Sequence, residues 1–231
     1  MTSDRFICTT RHGGNMVYDI TYDKAPYTMQ EIGRLREIAF RDAGGGTGKS
    51  IDIDAYDIME KPFHQLLVWN PKEKEIISSY RYILGADIKV TNKNVGSPVA
   101  KLFQFSDEFI NDYLPCSIEL GRSFVQPKYQ ATRLGAFALD NIWDGLGAII
   151  CLNPHVKYFY GKMTMYKTYN QFARDLILYF LKKHFSSPTH LVQPVNPLPF
   201  HHDENRLAEI LTSDDFNEDF KTLVKETQKL N

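Results

Sequence analysis

The chain has 231 residues, 43% of them apolar and 24% charged, with a formal net charge of -1 at neutral pH. That suffices for one large domain with its own core, or a domain with an appendage, and without a basic excess it argues against a nucleic-acid binder. Cys8, Cys116 and Cys151 are widely spaced and outside any CxxC pattern, the N-terminus has no apolar leader, and no run of about 18 apolar residues exists; these predict reduced thiols, a cytoplasmic location and no membrane span, with peripheral membrane contact left open.

Residues 16–22, rich in Val, Ile, Thr and Tyr, predict a first strand. Over Tyr27–Asp42, the positions Met29, Ile32, Leu35, Ile38 and Ala39 follow a helical period, which Gly44-Gly45-Gly46 ends. Ala43 to Ser50 then satisfies a relaxed phosphate-loop pattern ending in Gly48-Lys49-Ser50. A phosphate loop needs a strand before it and a helix after it, so that amides at the helix end face the phosphates. Here a helix precedes, and Asp52, Asp54 and Asp57 follow and would repel phosphate, so the stretch reads as a flexible glycine loop. The three aspartates also lack the glycine and terminal glutamate of a calcium loop. His64–Trp69 and Glu75–Leu84 flank the turn 70–74 and predict an antiparallel hairpin. From Ala86 to Pro115 the pattern is irregular, with Phe103, Phe105, Phe109 and Tyr113 forming either a lid or ordinary packing.

The run from Cys116 to Pro127 reads as an apolar strand that carries Glu119 and Arg122 with Gly121 between them. Charges inside such a strand are paired or used. One reading is an ion pair that only fixes the fold; the other is catalysis. Residues three apart point to opposite faces of a regular strand, so a shared face requires an irregularity, and Gly121 is where a β-bulge fits. A helix follows over Thr132–Ile150, then a strand over Lys157–Thr164, a helix over Lys167–Phe185, an extended proline-rich stretch at 189–200, and a charged tail over Asn205–Leu230 with modest helical spacing. The strand–helix–strand unit over 116–164 implies two parallel strands with a right-handed crossover; the other pairings are antiparallel. His201-His202-Asp203-Glu204 resembles a metal ligand set, but its place before a helical stretch favours Asp203 as a helix cap. The fold class is therefore a mixed α/β sheet with helices on its faces.

Several residues together carry a likeness to a known family: Arg36 and Phe40 on the first helix, Asp54 and Asp57 in the acidic stretch, Arg81 on the hairpin, Glu119-Leu-Gly-Arg122-Ser123-Phe-Val125, Trp143-Asp-Gly145-Leu, and Gly161-Lys-Met163-Thr. With them, residues 16–165 resemble the GNAT-like acyltransferases. Within these the chain is similar to the bacterial N-acyltransferases that make ornithine and glycine lipids, often labelled hemolysin-like, and to the acyl-homoserine lactone synthases. The resemblance implies a GNAT-like domain over residues 1–195, a mostly antiparallel sheet with one splayed parallel pair, and a charged helical appendage over 196–231.

It also implies a reaction in which an amine attacks a thioester carbonyl. In that reaction Glu119 is the candidate general base, Arg122 orients Glu119 or binds an acceptor carboxylate, and Ser123 donates a proton to the leaving thiolate. Arg36, Arg81, Asp54 and Asp57 form the polar wall of the acceptor pocket, or a salt-bridge network that pins the glycine loop. Phe40, Phe124, Val125 and Trp143 contribute to substrate binding, with a backbone amide near Phe124 or Val125 for the oxyanion. Phe103, Phe105, Phe137, Tyr158 and Tyr160 are further candidates for lining an apolar tunnel, or are core.

One departure bears on the donor. Enzymes of this fold that use acetyl-CoA carry Gln/Arg-x-x-Gly-x-Gly/Ala at the helix start, whereas this chain has Gln130-Ala-Thr-Arg133-Leu-Gly135. A side chain at Arg133 hinders approach of a pyrophosphate. The expected donor is therefore the acyl-phosphopantetheine of acyl carrier protein, with acyl-CoA second and no permanently bound cofactor or metal. Lys128, Arg133, Lys157 and Lys162 are the candidate surface for that acidic carrier, or are simply solvated. The expected acceptor is a small amino acid, glycine and then ornithine, and the alternatives are a homoserine-lactone signal synthase or a non-catalytic lipid- or carrier-binding module.

Overall fold

The structure, a computed structural model, describes residues 2–130 and 132–230, with only the backbone of Arg133 and Leu134. The chain divides into two compact units, Met1–Lys101 with Asp107–Lys162, and Leu102–Ser106 with Met163–Asn231. That division falls at Lys162, whereas the sequence reading put its boundary at residue 195.

In chain order the elements are β1 (Phe6–Thr9), β2 (Met16–Ile20), α1 (Pro26–Asp42), α2 (Ala55–Ile58), β3 (His64–Asn70), β4 (Glu75–Leu84), the small pair β5 (Val90–Thr91) and β6 (Asn94–Val95), and β7 (Phe103–Phe105). Then follow β8 (Ser117–Val125), α3 (Pro127–Gln130), α4 (Arg133–Ala136), α5 (Ala138–Leu152), β9 (Tyr158–Gly161), α6 (Gln171–Phe185), β10 (Val192–Pro194), α7 (Glu204–Ala208) and α8 (Phe216–Gln228). The first unit is built on a six-stranded sheet in the order β1-β2-β3-β4-β8-β9. Every neighbouring pair is antiparallel except β8–β9, which is parallel and connected through α5.

Alternation along the strands sorts side chains onto two helices. Val17, Leu66, Val68, Tyr82, Ile118 and Leu120 pack with Ala138, Ile142, Leu146 and Ile149 of α5. Tyr18, Ile20, Leu67 and Phe124 pack with Met29, Ile32, Leu35 and Ala39 of α1. Each such large apolar side chain contributes about 1.5–3 kcal/mol by burial, so both sheet faces are firmly fixed. In the second unit Leu176 and Phe180 of α6 pack against Leu207, Leu211 and Leu223. There Asn170, Asp203 and Asp215 cap the starts of α6, α7 and α8 with their side chains.

Several elements differ from the sequence reading, which had no place for α2, α3, β5, β6 or β7, and three differences bear on the main sheet. The strand β1 was not expected, because only four residues form it and its buried face is partial. The helix expected over 132–150 is broken at Phe137, so α4 and α5 are separate. The strand expected to reach Thr164 stops at Gly161.

Candidate active site

The polar centre of the first unit is organised by an irregularity in β8. Gly121 lies opposite Arg81 and Phe124 opposite Ser79, so Tyr80 alone faces both Arg122 and Ser123. This is a β-bulge, and its special residue is Arg122, which sits at φ 51° next to the glycine expected to carry it. A left-handed non-glycine residue costs on the order of 1–3 kcal/mol and persists where its surroundings hold it. The extra residue reverses parity: Ile118 and Leu120 point toward α5, while Phe124 points toward α1. By the same shift Arg122 reaches Asp52 and Asp54, carboxylates that belong to the α1 side. Beyond Leu120, which is paired with Gly161, β9 ends while β8 runs on to Val125, so the strands splay where the bulge begins.

The acidic stretch is laid against α1 by close backbone approach. A Cβ on Gly33 would meet the Ile51 side chain at 2.6 Å, and the amide of Asp52 donates to the Gly33 carbonyl at 3.0 Å. This places three aspartates among three arginines. Arg36, wholly buried, pairs with Asp52 at 3.1 Å and Asp57 at 2.8 Å. Arg81 pairs with Asp54 at 2.9 Å and Asp57 at 3.2 Å and lies over the Phe63 ring. Asp57 also accepts from Gln65 at 3.1 Å, and Asp54 caps α2. Burial opposes ionisation of Asp54, but Arg81, Arg122 and Arg36 outweigh it and hold its carboxyl below the usual range. The charges balance within the network.

Glu119 stands apart from it. Its carboxylate is 2% exposed and makes no ion pair with Arg122 among the described residues. Its partners are the Tyr160 hydroxyl at 2.8 Å, the Val99 amide at 3.4 Å and the Ser97 hydroxyl. Burial raises its pKa, and these donors, with the more distant Arg81, only partly offset that. Tyr160 is itself pushed far above its ordinary range by burial and by the Glu119 charge, so it stays a proton-bearing donor. An aromatic row continues outward, with Tyr160 edge-on to Phe109, Phe109 stacked on Tyr113, and Tyr113 against Tyr158. Phe109–Tyr113 is a short π-helix, a form that recurs at functional sites.

The helix start that would hold a pyrophosphate is closed on itself. A Cβ on Gly135 would lie 1.7 Å from the Tyr129 carbonyl oxygen, so this glycine is required for backbone packing. The Gly135 amide donates to the Thr132 hydroxyl at 3.1 Å, and the amides of Thr132 and Ala136 donate to the carbonyls of Tyr129 and Thr132.

A profile of the Acetyltransferase (GNAT) domain matches residues 35–139, from α1 to the start of α5. The chain is 52% identical over 236 positions to the "Glycine N(alpha)-acyltransferase" of Bacteroides thetaiotaomicron, covering all of this chain and 69% of that protein. It is 50% identical to the protein of the same name from Phocaeicola vulgatus, covering 72% of it. This chain belongs to the GNAT acyltransferase family. It is therefore an acyltransferase with a GNAT domain. A solved structure titled as a CoA-dependent acyl-homoserine lactone synthase, MesI, covers 58% of this chain and 65% of that one at 13% identity, with a TM-score of 0.34, too loose a likeness to carry detail.

The other expected residues of this acyltransferase are dispersed. Ser123 is exposed on the bulge, Phe124 is buried against α1, and Val125 is half-buried at the edge of the α5 cluster. Phe40 packs at the edge of the α1 cluster, while Trp143 is largely exposed and edge-on to Phe159. Phe137 stacks on His12, and Phe103 and Phe105 belong to the second unit. Lys128 pairs with Glu75 just past the end of β8, whereas the Lys157 amide bonds the Cys116 carbonyl at the other end, about 25 Å away along the strand. Lys162 donates to the Pro98 carbonyl at 3.2 Å, close to Glu119, and the Arg133 side chain lies outside the described residues.

The glycine loop is less free than expected. Glu37 accepts from the amides of Thr47 and Gly48, from the Thr47 hydroxyl and from Arg41, which brings its pKa down to about 2. Those amides face a carboxylate, not a phosphate. No metal-competent cluster occurs among the described residues, Asp203 caps α7 as expected, and the three cysteines are free thiols. Among the described residues no helix is long and apolar enough to cross a membrane. Ser97 and Val99 were not anticipated as partners of Glu119, since nothing in that irregular stretch signals a turn toward β8.

Proposed function

We propose that this acyltransferase moves a long-chain fatty acyl group, 3-hydroxylated or not, from the phosphopantetheine thioester of acyl carrier protein to the α-amine of glycine, with ornithine as second acceptor. The product would serve membrane aminolipid synthesis in the cytoplasm, with peripheral contact at the inner membrane face. The observation that carries the reading is Glu119, a buried carboxylate without an ion-pair partner among the described residues, held by neutral donors beside the point where β8 and β9 separate. A raised pKa matches a carboxylate to proton transfer near neutral pH. The name of the relatives at about half identity supports glycine as the acceptor.

In the proposed step Glu119, directly or through a water, takes one proton from the acceptor ammonium. The freed amine forms a bond to the thioester carbonyl carbon, and the developing oxyanion is met by a backbone amide of β8 near Phe124 or Val125, beside the edge that β9 leaves. Collapse breaks the carbon–sulfur bond, and Ser123 relays the second proton of the attacking nitrogen to the thiolate, leaving the neutral amide and a free thiol. The three-arginine, three-aspartate network fixes the bulge that aims these groups. At the helix start the amides of Thr132, Gly135 and Ala136 are engaged within the turn, which supports a carrier-borne arm over the pyrophosphate of CoA.

The test is incubation with long-chain acyl carrier protein or acyl-CoA and with glycine or ornithine, followed by mass detection of the N-acyl product. N-acylglycine from the carrier-borne donor is expected. Folded protein that makes no amide with any acceptor overturns the reading, and equal turnover with acyl-CoA overturns the donor assignment.

A further inference from the structure

Lys162 is within electrostatic reach of Glu119 and of three other cations, Arg122, Arg81 and Lys101. The two arginines are committed. Arg81 is paired with Asp54 and Asp57, and Arg122 with Asp52 and Asp54, so an anion placed on either would meet two carboxylates. Lys101 lies over the Tyr56 ring at 5.1 Å. Lys162 has only the Pro98 carbonyl, at 3.2 Å, and no carboxylate partner among the described residues.

The position of Lys162 relative to Glu119 is set by a single peptide group. The Pro98 carbonyl accepts from Lys162, and the Val99 amide of the same peptide bond donates to Glu119. The two side chains therefore stand on either side of that peptide, at most about 9 Å apart by standard backbone dimensions. They form no ion pair with each other among the described residues. A small zwitterion whose ammonium and carboxylate are separated by one carbon can span that interval alongside the peptide. Lys162 follows Tyr160, the other Glu119 partner, by two residues at the end of β9, so both ends of the interval are anchored on the same strand pair.

We propose that Lys162 binds the carboxylate of the amino-acid acceptor while Glu119 receives its ammonium, so that this pair selects a free α-amino acid over other amines. The inference rests on the N-acyltransferase reading above and extends it to the residue that recognises the acceptor. Lys162 is exposed, yet partial desolvation lowers its proton affinity, and the neighbouring Arg122, Arg81 and Lys101 add to that against the Glu119 charge; a bound carboxylate would restore it. A charge-assisted bond of this kind changes affinity on the order of tenfold to a hundredfold.

The experiment compares glycine with glycinamide, which has the amine but no carboxylate, in the wild-type protein and in Lys162→Met, Lys162→Arg and Lys101→Met, with the donor held constant. Wild type is expected to favour glycine. In Lys162→Met the KM for glycine should rise by roughly tenfold or more until the two acceptors converge, with the donor KM unmoved. Lys162→Arg should keep most of the preference, and Lys101→Met all of it. Circular dichroism of each variant separates loss of binding from loss of fold, and the arginine variant carries the test if the methionine one does not fold. An equal loss on glycine and glycinamide, a shift in the donor KM, or loss of the preference in Lys101→Met overturns the proposal. Failure of the wild type to acylate any amine would instead overturn the parent reading.

Discussion

Glu119 in the first unit and Asp175 in the second are both buried carboxylates, yet their surroundings treat them in opposite ways. Asp175 accepts from Arg174, from the amides of His201 and His202 and from the His202 ring, and burial is outweighed until its pKa lies at about 2. Glu119 is given two hydroxyls and one amide and no cation in contact, and its pKa rises. The first arrangement holds a charge in place and fixes the Pro199–His202 turn against α6. The second leaves the carboxylate readier to take a proton. The difference lies in what each acid is bonded to, and burial alone does not reveal it.

The largest effect expected from breaking this contrast is on turnover. Glu119→Gln should lower it by about 10²–10⁴-fold, the usual contribution of a general base, with circular dichroism unchanged. The same variant should sharpen the contrast in stability. Because the folded-state pKa of Glu119 is raised, its contribution is full below its ordinary value of 4.5 and is lost as pH rises. Glu119→Gln should therefore match wild type in acid and have the higher melting temperature at neutral pH. Next in size, Arg36→Met leaves Asp52 to Arg122 and Asp57 to Arg81, one positive charge short, and should cost about 3–5 kcal/mol in denaturant unfolding, since it breaks a buried charge set.

Asp175→Asn should cost about 2 kcal/mol, with turnover per folded molecule retained. Its pKa is lowered, so its contribution is present above the ordinary value of 3.8 and is lost as pH falls toward 2; the variant should show no further loss over that interval. The smallest effect is local. Glu37→Gln should loosen the Gly44–Gly48 loop, seen as faster protease nicking there, while the global unfolding midpoint moves little.

Much of this was legible in residue types and spacing. The α1 period, the 64–84 hairpin and the parallel β8–β9 crossover follow from local pattern, and Gly121 flagged the bulge to within one residue. What stayed hidden depended on contacts distant in sequence. Glu119 and Arg122 looked like one pair, but Arg122 belongs to aspartates some seventy residues earlier. Lys162 looked like surface charge, because its nearness to Glu119 runs through Pro98, in a stretch with no periodicity. The four-residue strand β1 was too short for a pattern to emerge.

The central claim is that Glu119 is the proton acceptor, and the pH dependence of single-turnover N-acylglycine formation tests it most directly in wild type and Glu119→Gln. The wild-type rate should fall in acid with an apparent pKa above 4.5, and the variant should be slow throughout and lack that limb. An unchanged rate and an unchanged acid limb in Glu119→Gln would contradict the account.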